Sequence, residues 1–227
     1  MKRYLGAALT LLLAGCLNTD PLASVFDFDM NVVGENWTPR AANVPAARLT
    51  EIGVVGDWRP LPEPLPTARK AVYLAGNNVT GELFLFTQKR FTGLAPNQTF
   101  TAAFTVQYAT NLHADCPIGT GLTFIKAGAS LAELTSEPDN QGILRVSADV
   151  GAHAEQGDFT RLGDIRNGLP GCPTPGTFAS KTTLTQTQAS TFTTDFDGGF
   201  ILFVGLHSNA VGPLEFYLIA VRMTIQL

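Results

Sequence analysis

The sequence predicts an all-β domain, an antiparallel β-sandwich of the jelly-roll kind, and three observations carry that prediction. Phe100, Ala102, Phe104, Val106 and Tyr108 alternate with Thr99, Thr101, Ala103, Thr105 and Gln107. A period of two puts one face on a core and the other towards water, as a strand of an antiparallel sheet does. Short β-rich runs recur along the chain, separated by Gly, Pro, Asn and Asp, the spacing expected of a sandwich. The composition, with 22 Gly, 14 Pro and only 15% charged residues, is the opposite of a long-helix composition, and no convincing amphipathic helix is found after the leader.

The elements follow in order. Phe26 and Phe28 alternate with Asp27 and Asp29 and open the domain. The proline-bearing stretches 38–45 and 60–67 read as surface loops, and 72–74 as a short strand. The run Glu82-Leu83-Phe84-Leu85-Phe86 is apolar on both parities, so it belongs to a strand covered on both faces. Residues 92–98, rich in Gly, Pro and Asn, turn the chain into the alternating strand of 99–108. Short β-like runs are expected at 122–125 and 143–148, and a single helical turn around 131–135. The segments 178–184 and 190–196 carry the alternating Thr of exposed strand faces. Residues 199–206 form a buried run after Asp197-Gly198, which reads as a hairpin turn. The last strand, 215–227, presents Tyr217, Ile219, Val221, Met223, Ile225 and Leu227 on one side.

The first 16 residues have a different character. Lys2 and Arg3 precede an apolar run from 4 to 13, then Leu13-Ala14-Gly15-Cys16. A charged start, a short apolar middle and small residues before a cut are the parts of a secretory signal peptide. The run is too short for a bilayer span, which needs about 20 residues. Leu-Ala-Gly-Cys resembles the lipobox of bacterial lipoproteins. That resemblance implies removal of residues 1–15, a diacylglycerol on the Cys16 thiol and acylation of its new N-terminus. Residues 16–23 then form a lipidated anchor and short linker, and 24–227 the β-sandwich. Two or more acyl chains hold a protein stably at a membrane it does not span. Leu17, where an Asp would favour retention at the inner membrane, implies an outer membrane in an organism that has one. The expected location is the bacterial cell envelope.

Losing residues 1–15 removes two cations and no acid, so the formal charge moves from −4 to about −6. An acidic chain without a Lys/Arg cluster is poorly suited to nucleic acid, whose binding rests on cationic contacts to phosphate. With Cys16 lipidated, Cys116 and Cys172 remain in an oxidising compartment, each followed by Pro, and a disulfide is expected between them. A metal pair at these positions lacks nearby His or Cys ligands.

Phe-Asp-Phe-Asp at 26–29, followed by Gly34 and Trp37, the turn 93–97 leading into a Phe-bearing strand, and a long closing strand resemble the galactose-binding-like jelly rolls. That fold includes many carbohydrate-binding modules. Members often hold a structural calcium through an acid of the final strand. Phe216-Tyr217-Leu218-Ile219-Ala220 has none, so calcium is not carried over.

Catalytic patterns are thin. His113, His153 and His207 are isolated, and Ser208 beside His207 stands in no Gly-x-Ser-x-Gly elbow. Lone histidines of this kind are expected to be polar loop residues. Asp195 and Asp197, and likewise Asp139, are fragments of a calcium loop, but a hairpin turn already accounts for both. Asn36, Asn78 and Asn97 stand in Asn-x-Thr triplets, read as coincidence in a bacterial chain. Trp37 and Trp58, both near prolines, are the candidate ligand contacts, because exposed indoles stack on sugar rings. Core or rim packing is the competing role for each. The expectation is a non-enzymatic binding or surface-structural domain without catalytic residues, metal or cofactor. Its partners would be a membrane through Cys16 and a glycan or another envelope protein. A hydrolase of envelope or extracellular polysaccharide and an envelope assembly factor are the alternatives.

Overall fold

A computed structural model describes residues 23–116, 122–152, 157–184 and 189–227. The expected signal peptide and Cys16 lie outside them, as does His153. Thr99–Thr110 forms a twelve-residue strand whose parity is the one its sequence predicts. Phe100, Ala102, Phe104, Val106 and Tyr108 are all buried in the main core, while Thr99 and Thr101 are exposed.

The strands in chain order are β1 (Ser24–Asp29), β2 (Thr38–Ala42), β3 (Val55–Pro60), β4 (Lys70–Asn78), β5 (Leu83–Phe91) and β6 (Thr99–Thr110). They continue with β7 (Thr123–Ser130), β8 (Ser136–Pro138), β9 (Leu144–Val146) and β10 (Thr160–Asp164). The last four are β11 (Ala179–Thr182), β12 (Ser190–Thr193), β13 (Phe200–Ser208) and β14 (Gly212–Gln226). One sheet runs β6-β14-β4-β3, with β11 and β12 end to end on the free edge of β6 and β1 following β4 along β14. The second sheet runs β10-β7-β13-β5-β2. All pairings are antiparallel, and the two sheets enclose the main core, which makes the molecule the antiparallel β-sandwich that the sequence predicts.

Strand β5 is covered on both faces, as its double apolar parity requires. Leu83 and Leu85 enter the main core; Phe84 and Phe86 lie on the outer face under Leu134, Val150 and Phe159. The neighbouring strand makes room for them: a Cβ on Gly205 would lie 2.7 Å from that of Phe86.

Several expectations are corrected. Residues 38–42 form β2 instead of a loop; Pro39 is tolerated because β2 is an edge strand that pairs only with β5. Residues 131–135 form no helical turn. The buried Gln88 side chain holds Leu134 extended, accepting from its N–H and donating to its carbonyl, both at 2.8 Å. The helices present are short, α1 (Met30–Val33) and α2 (Leu49–Ile52), the latter preceded by a 3-10 turn at Ala46–Arg48. In β14 the single-sided stripe breaks at a bulge between Leu218 and Ala220. Ile219 is the extra residue, so Phe216 and Leu218 join Val221, Met223 and Ile225 in the main core, while Tyr217 and Ile219 face outward. They pack there with Leu61, from the otherwise loop-like 60–67 stretch. Among the described residues no helix is long and apolar enough to cross a membrane.

Candidate functional site

Trp37 and Trp58, 21 positions apart in the sequence, line one cleft of about 340 Å³ with Gly34, Glu35, Asn36, Gly56, Asp57, Val72 and Thr87. The topology brings them together. Strand β1 ends at Asp29 beside the start of β4, where Arg69 reaches Asp29 at 3.0 Å and the Lys70 N–H donates to Asn31 at 2.9 Å. The chain turns through α1 and crosses to the second sheet at Trp37, while β3, the outermost strand of the first sheet, delivers Trp58 opposite Val72.

The indoles are held differently. Trp58 donates Nε1–H to the Met30 carbonyl at 2.8 Å, and the Lys70 ammonium stands 4.0 Å from its ring centre. Gly34 is required beneath it, since a Cβ there would sit 1.9 Å from Trp58 Nε1. Trp37 packs edge-on against Phe91, with ring centres 6.2 Å apart. Both indoles are half-buried against the core, so each presents part of its surface to the cleft. Lys89 fixes the approach to Trp37 by donating to the carbonyls of Val33 and Glu35. The exposed carboxylates of Glu35 and Asp57 flank the opening. The buried Trp37 Nε1 and Thr87 Oγ1 make no hydrogen bond among the described residues. A site offering flat apolar surface and carboxylate acceptors suits a ligand that is apolar on its faces and hydroxylated at its rim.

Sequence reasoning singled out the two tryptophans and missed Glu35, Asp57, Lys70 and Thr87. A signal for two of them was present: each Trp has a carboxylate within two residues, Glu35 before Trp37 and Asp57 before Trp58.

The other candidates are structural. Cys116 and Cys172 form the expected disulfide, with Cα atoms 4.7 Å apart. His113 sits in a loop as expected but is buried; its Nε2 lies 3.0 Å from the Thr177 backbone nitrogen and its Nδ1 3.1 Å from the Pro170 carbonyl. His207 is no loop residue: it is buried in β13, edge-on to Phe84. Ser208 accepts from Thr123 at 2.8 Å and is fully buried. Asp195 accepts from the Gly199 N–H and from Arg90, both at 2.6 Å, and Arg90 also donates to Asp197 at 2.8 Å. Asp139 closes the β8–β9 turn by accepting from the N–H groups of Gln141 and Ile143 and from Arg145, each at 2.9 Å. Asn78 is buried, its amide donating to the carbonyls of Ser208 and Ala210. Asn36 and Asn97 lie exposed in left-handed turns. Among the described residues no group of three or more His, Cys, Asp or Glu comes together as a metal site.

No protein-family model matches the chain, and no curated protein is similar to it in sequence. Among solved structures, it is similar to the CBM22-1 xylan-binding domain of Xyn10C from Paenibacillus barcinonensis, at 10% identity over 91% of this chain and 97% of that one, TM-score 0.38. It is also similar to the mannan-recognising carbohydrate-binding module TmCBM27, at 8% identity over 91% and 99%, TM-score 0.38. Against the active domain of tailspike protein 4 of bacteriophage CBA120 it is 14% identical over 82% of its own length, TM-score 0.34, and spans only 19% of that chain. At this level of likeness the functional argument rests on the cleft itself.

Proposed function

We propose that this protein is a non-enzymatic, glycan-binding β-sandwich held at the bacterial cell envelope by a lipid on Cys16. The observation that carries the binding part is the meeting of Trp37, just before β2, and Trp58, on β3, in one open cleft edged by Glu35 and Asp57. A sugar ring laid against an indole buries its C–H face, while its hydroxyls donate to the carboxylates. The lipobox-like Leu13-Ala14-Gly15-Cys16 supports the anchor.

The test is retention on a panel of envelope and extracellular polysaccharides, measured by affinity electrophoresis and calorimetry. The protein should bind at least one neutral polysaccharide. Trp37→Ala and Trp58→Ala should each weaken binding about tenfold or more, the loss expected of a central aromatic contact. Asp57→Asn, at an exposed position where unfolding is not at issue, should weaken it several-fold. Cys16→Ser should release the protein from the membrane fraction and leave glycan affinity unchanged. Binding that all three cleft variants leave intact overturns the site; membrane retention of Cys16→Ser overturns the anchor. Glu35 and Asp57 in one cleft also give the hydrolase reading a concrete form, since glycosidases work with paired carboxylates. Release of oligosaccharide from the bound polymer, lost in Glu35→Gln and Asp57→Asn, would decide for it.

A further inference from the structure

Strand register fixes the end of the sandwich from which the N-terminal segment leaves. Ser24 opposes Ile225, Ile225 opposes Ala102, and Thr99 opposes Thr193. The start of β1, the end of β14, the start of β6 and the end of β12 therefore share one end. The turns 92–98 and 194–199 close it against each other, through Asn97 N–H to the Asp195 carbonyl at 3.0 Å and Leu94 N–H to the Gly198 carbonyl at 3.3 Å. Ser130 opposes Ile201, so Leu131 emerges at the same end.

This end is apolar and sparsely charged. Val25, Leu131, Phe196 and Leu227 are exposed there, Phe196 by 81%. Residues 91–101 carry no charge, and residues 190–200 carry only Asp195 and Asp197, both bound by Arg90. Hydrogen bonding from Asp197, and then from Arg90 and backbone N–H groups, holds Asp195 below the usual carboxylate range against the opposing effect of burial. A largely exposed phenylalanine at the tip of a loop whose acids are already paired is costly in water and cheap to place in a lipid interface.

We propose that this end faces the bilayer and that Phe196 enters the lipid interface as a second contact beside the lipid on Cys16. The inference rests on the anchoring reading above. Eight residue steps separate Ser24 from Cys16, a reach of at most about 29 Å. The fifteen residues of β14 run about 50 Å from that end to the opposite one. A tether shorter than the sandwich keeps the Ser24 end at the surface. Paired signals hold a protein at a membrane far better than one alone.

The experiment uses the full chain, lipidated through its own leader and inserted into phosphatidylethanolamine/phosphatidylglycerol vesicles. Phe196→Cys and Leu131→Cys at the near end, and Val211→Cys at the far end, each supply a single free thiol for a nitrobenzoxadiazole label. Headgroup-level nitroxide lipids should quench the label at 196 and 131 several-fold more than at 211, and aqueous iodide should do the reverse. Equal iodide quenching at 196 and 211 on vesicles that retain the protein overturns the inference alone. Iodide protection at 196 without nitroxide quenching also overturns it, pointing to a protein partner. Protein that fails to stay with the vesicles overturns the anchor and this inference together.

Discussion

Tyr73 donates its hydroxyl to Glu215 at 3.0 Å, and Glu215 also accepts from Asn111 at 2.9 Å. The Arg59 guanidinium lies 3.3 Å above the Tyr73 ring and favours the phenolate, yet burial and the bond to Glu215 prevail and push Tyr73 up to about 12. Burial raises Tyr108 and Tyr217 as well, so every tyrosine among the described residues is shifted towards its neutral form. A phenol whose folded value is raised contributes stability that is fully present below pH 10 and is lost as pH climbs through 10 towards the folded value. Absorbance at 295 nm should therefore show less tyrosinate at pH 10 in the folded protein than in the urea-unfolded chain. It should rise most steeply as the protein unfolds at higher pH, together with the loss of near-ultraviolet circular dichroism. Equal tyrosinate at pH 10 in the two states would contradict this. None of this network was legible in the sequence, because the bulge at Ile219 puts Tyr217 on the outer face beside Tyr73, against the stripe its spacing suggests.

The strands differ in how much of their placement the sequence carries. β6 is legible over 99–108: it has no bulge there, and the five apolar residues of its alternating face all enter the core. β14 is legible in its existence and misleading in its upper half, since a bulge is set by pairing with β6 and leaves no residue signature. β2 and β3 hide behind Pro39 and Pro60, which edge strands tolerate and which read locally as loops. The cleft inherits that blindness. Its tryptophans were visible by type, but their meeting depends on the register of β2 on β5 and of β3 on β4, which no local pattern encodes. The prediction at this scale is a contrast along β6. Phe104→Ala should cost about 3–5 kcal/mol through lost burial and a cavity, whereas Thr101→Ala on the exposed face should stay within about ±0.5 kcal/mol. Urea unfolding of the two variants separates them, and equal destabilisation would mean that both faces of the strand are buried.

At the scale of the molecule, the two ends of the sandwich are secured by different means. The Ser24 end is closed by the turns 92–98 and 194–199, and the stretch that carries β8 and β9 leaves from it after β7, whereas the opposite end carries the excursions after β6 and between β10 and β11. Those excursions are tied by the Cys116–Cys172 bridge between positions 56 apart, by His113 to Thr177, by Asn167 to the carbonyls of Thr110 and Thr177, and by Asp115 accepting from the Gly171 N–H. The pairing was legible from the cysteine count and the oxidising compartment expected from the sequence; the hydrogen bonds around it were not, because they join residues from distant parts of the chain. The bridge closes a loop whose freedom in the unfolded chain is large, and in the chain-entropy model that is worth roughly 4 kcal/mol. The Cys116→Ser/Cys172→Ser double variant should lose about that much stability in urea unfolding. Its loss should be local in the native state: amides of residues 111–116 and 165–178 should exchange faster, those of β6 and β13 should remain the slowest, and glycan affinity at the Trp37–Trp58 cleft should not change. Uniformly faster exchange across both sheets would show that the bridge supports the whole sandwich and not one end of it.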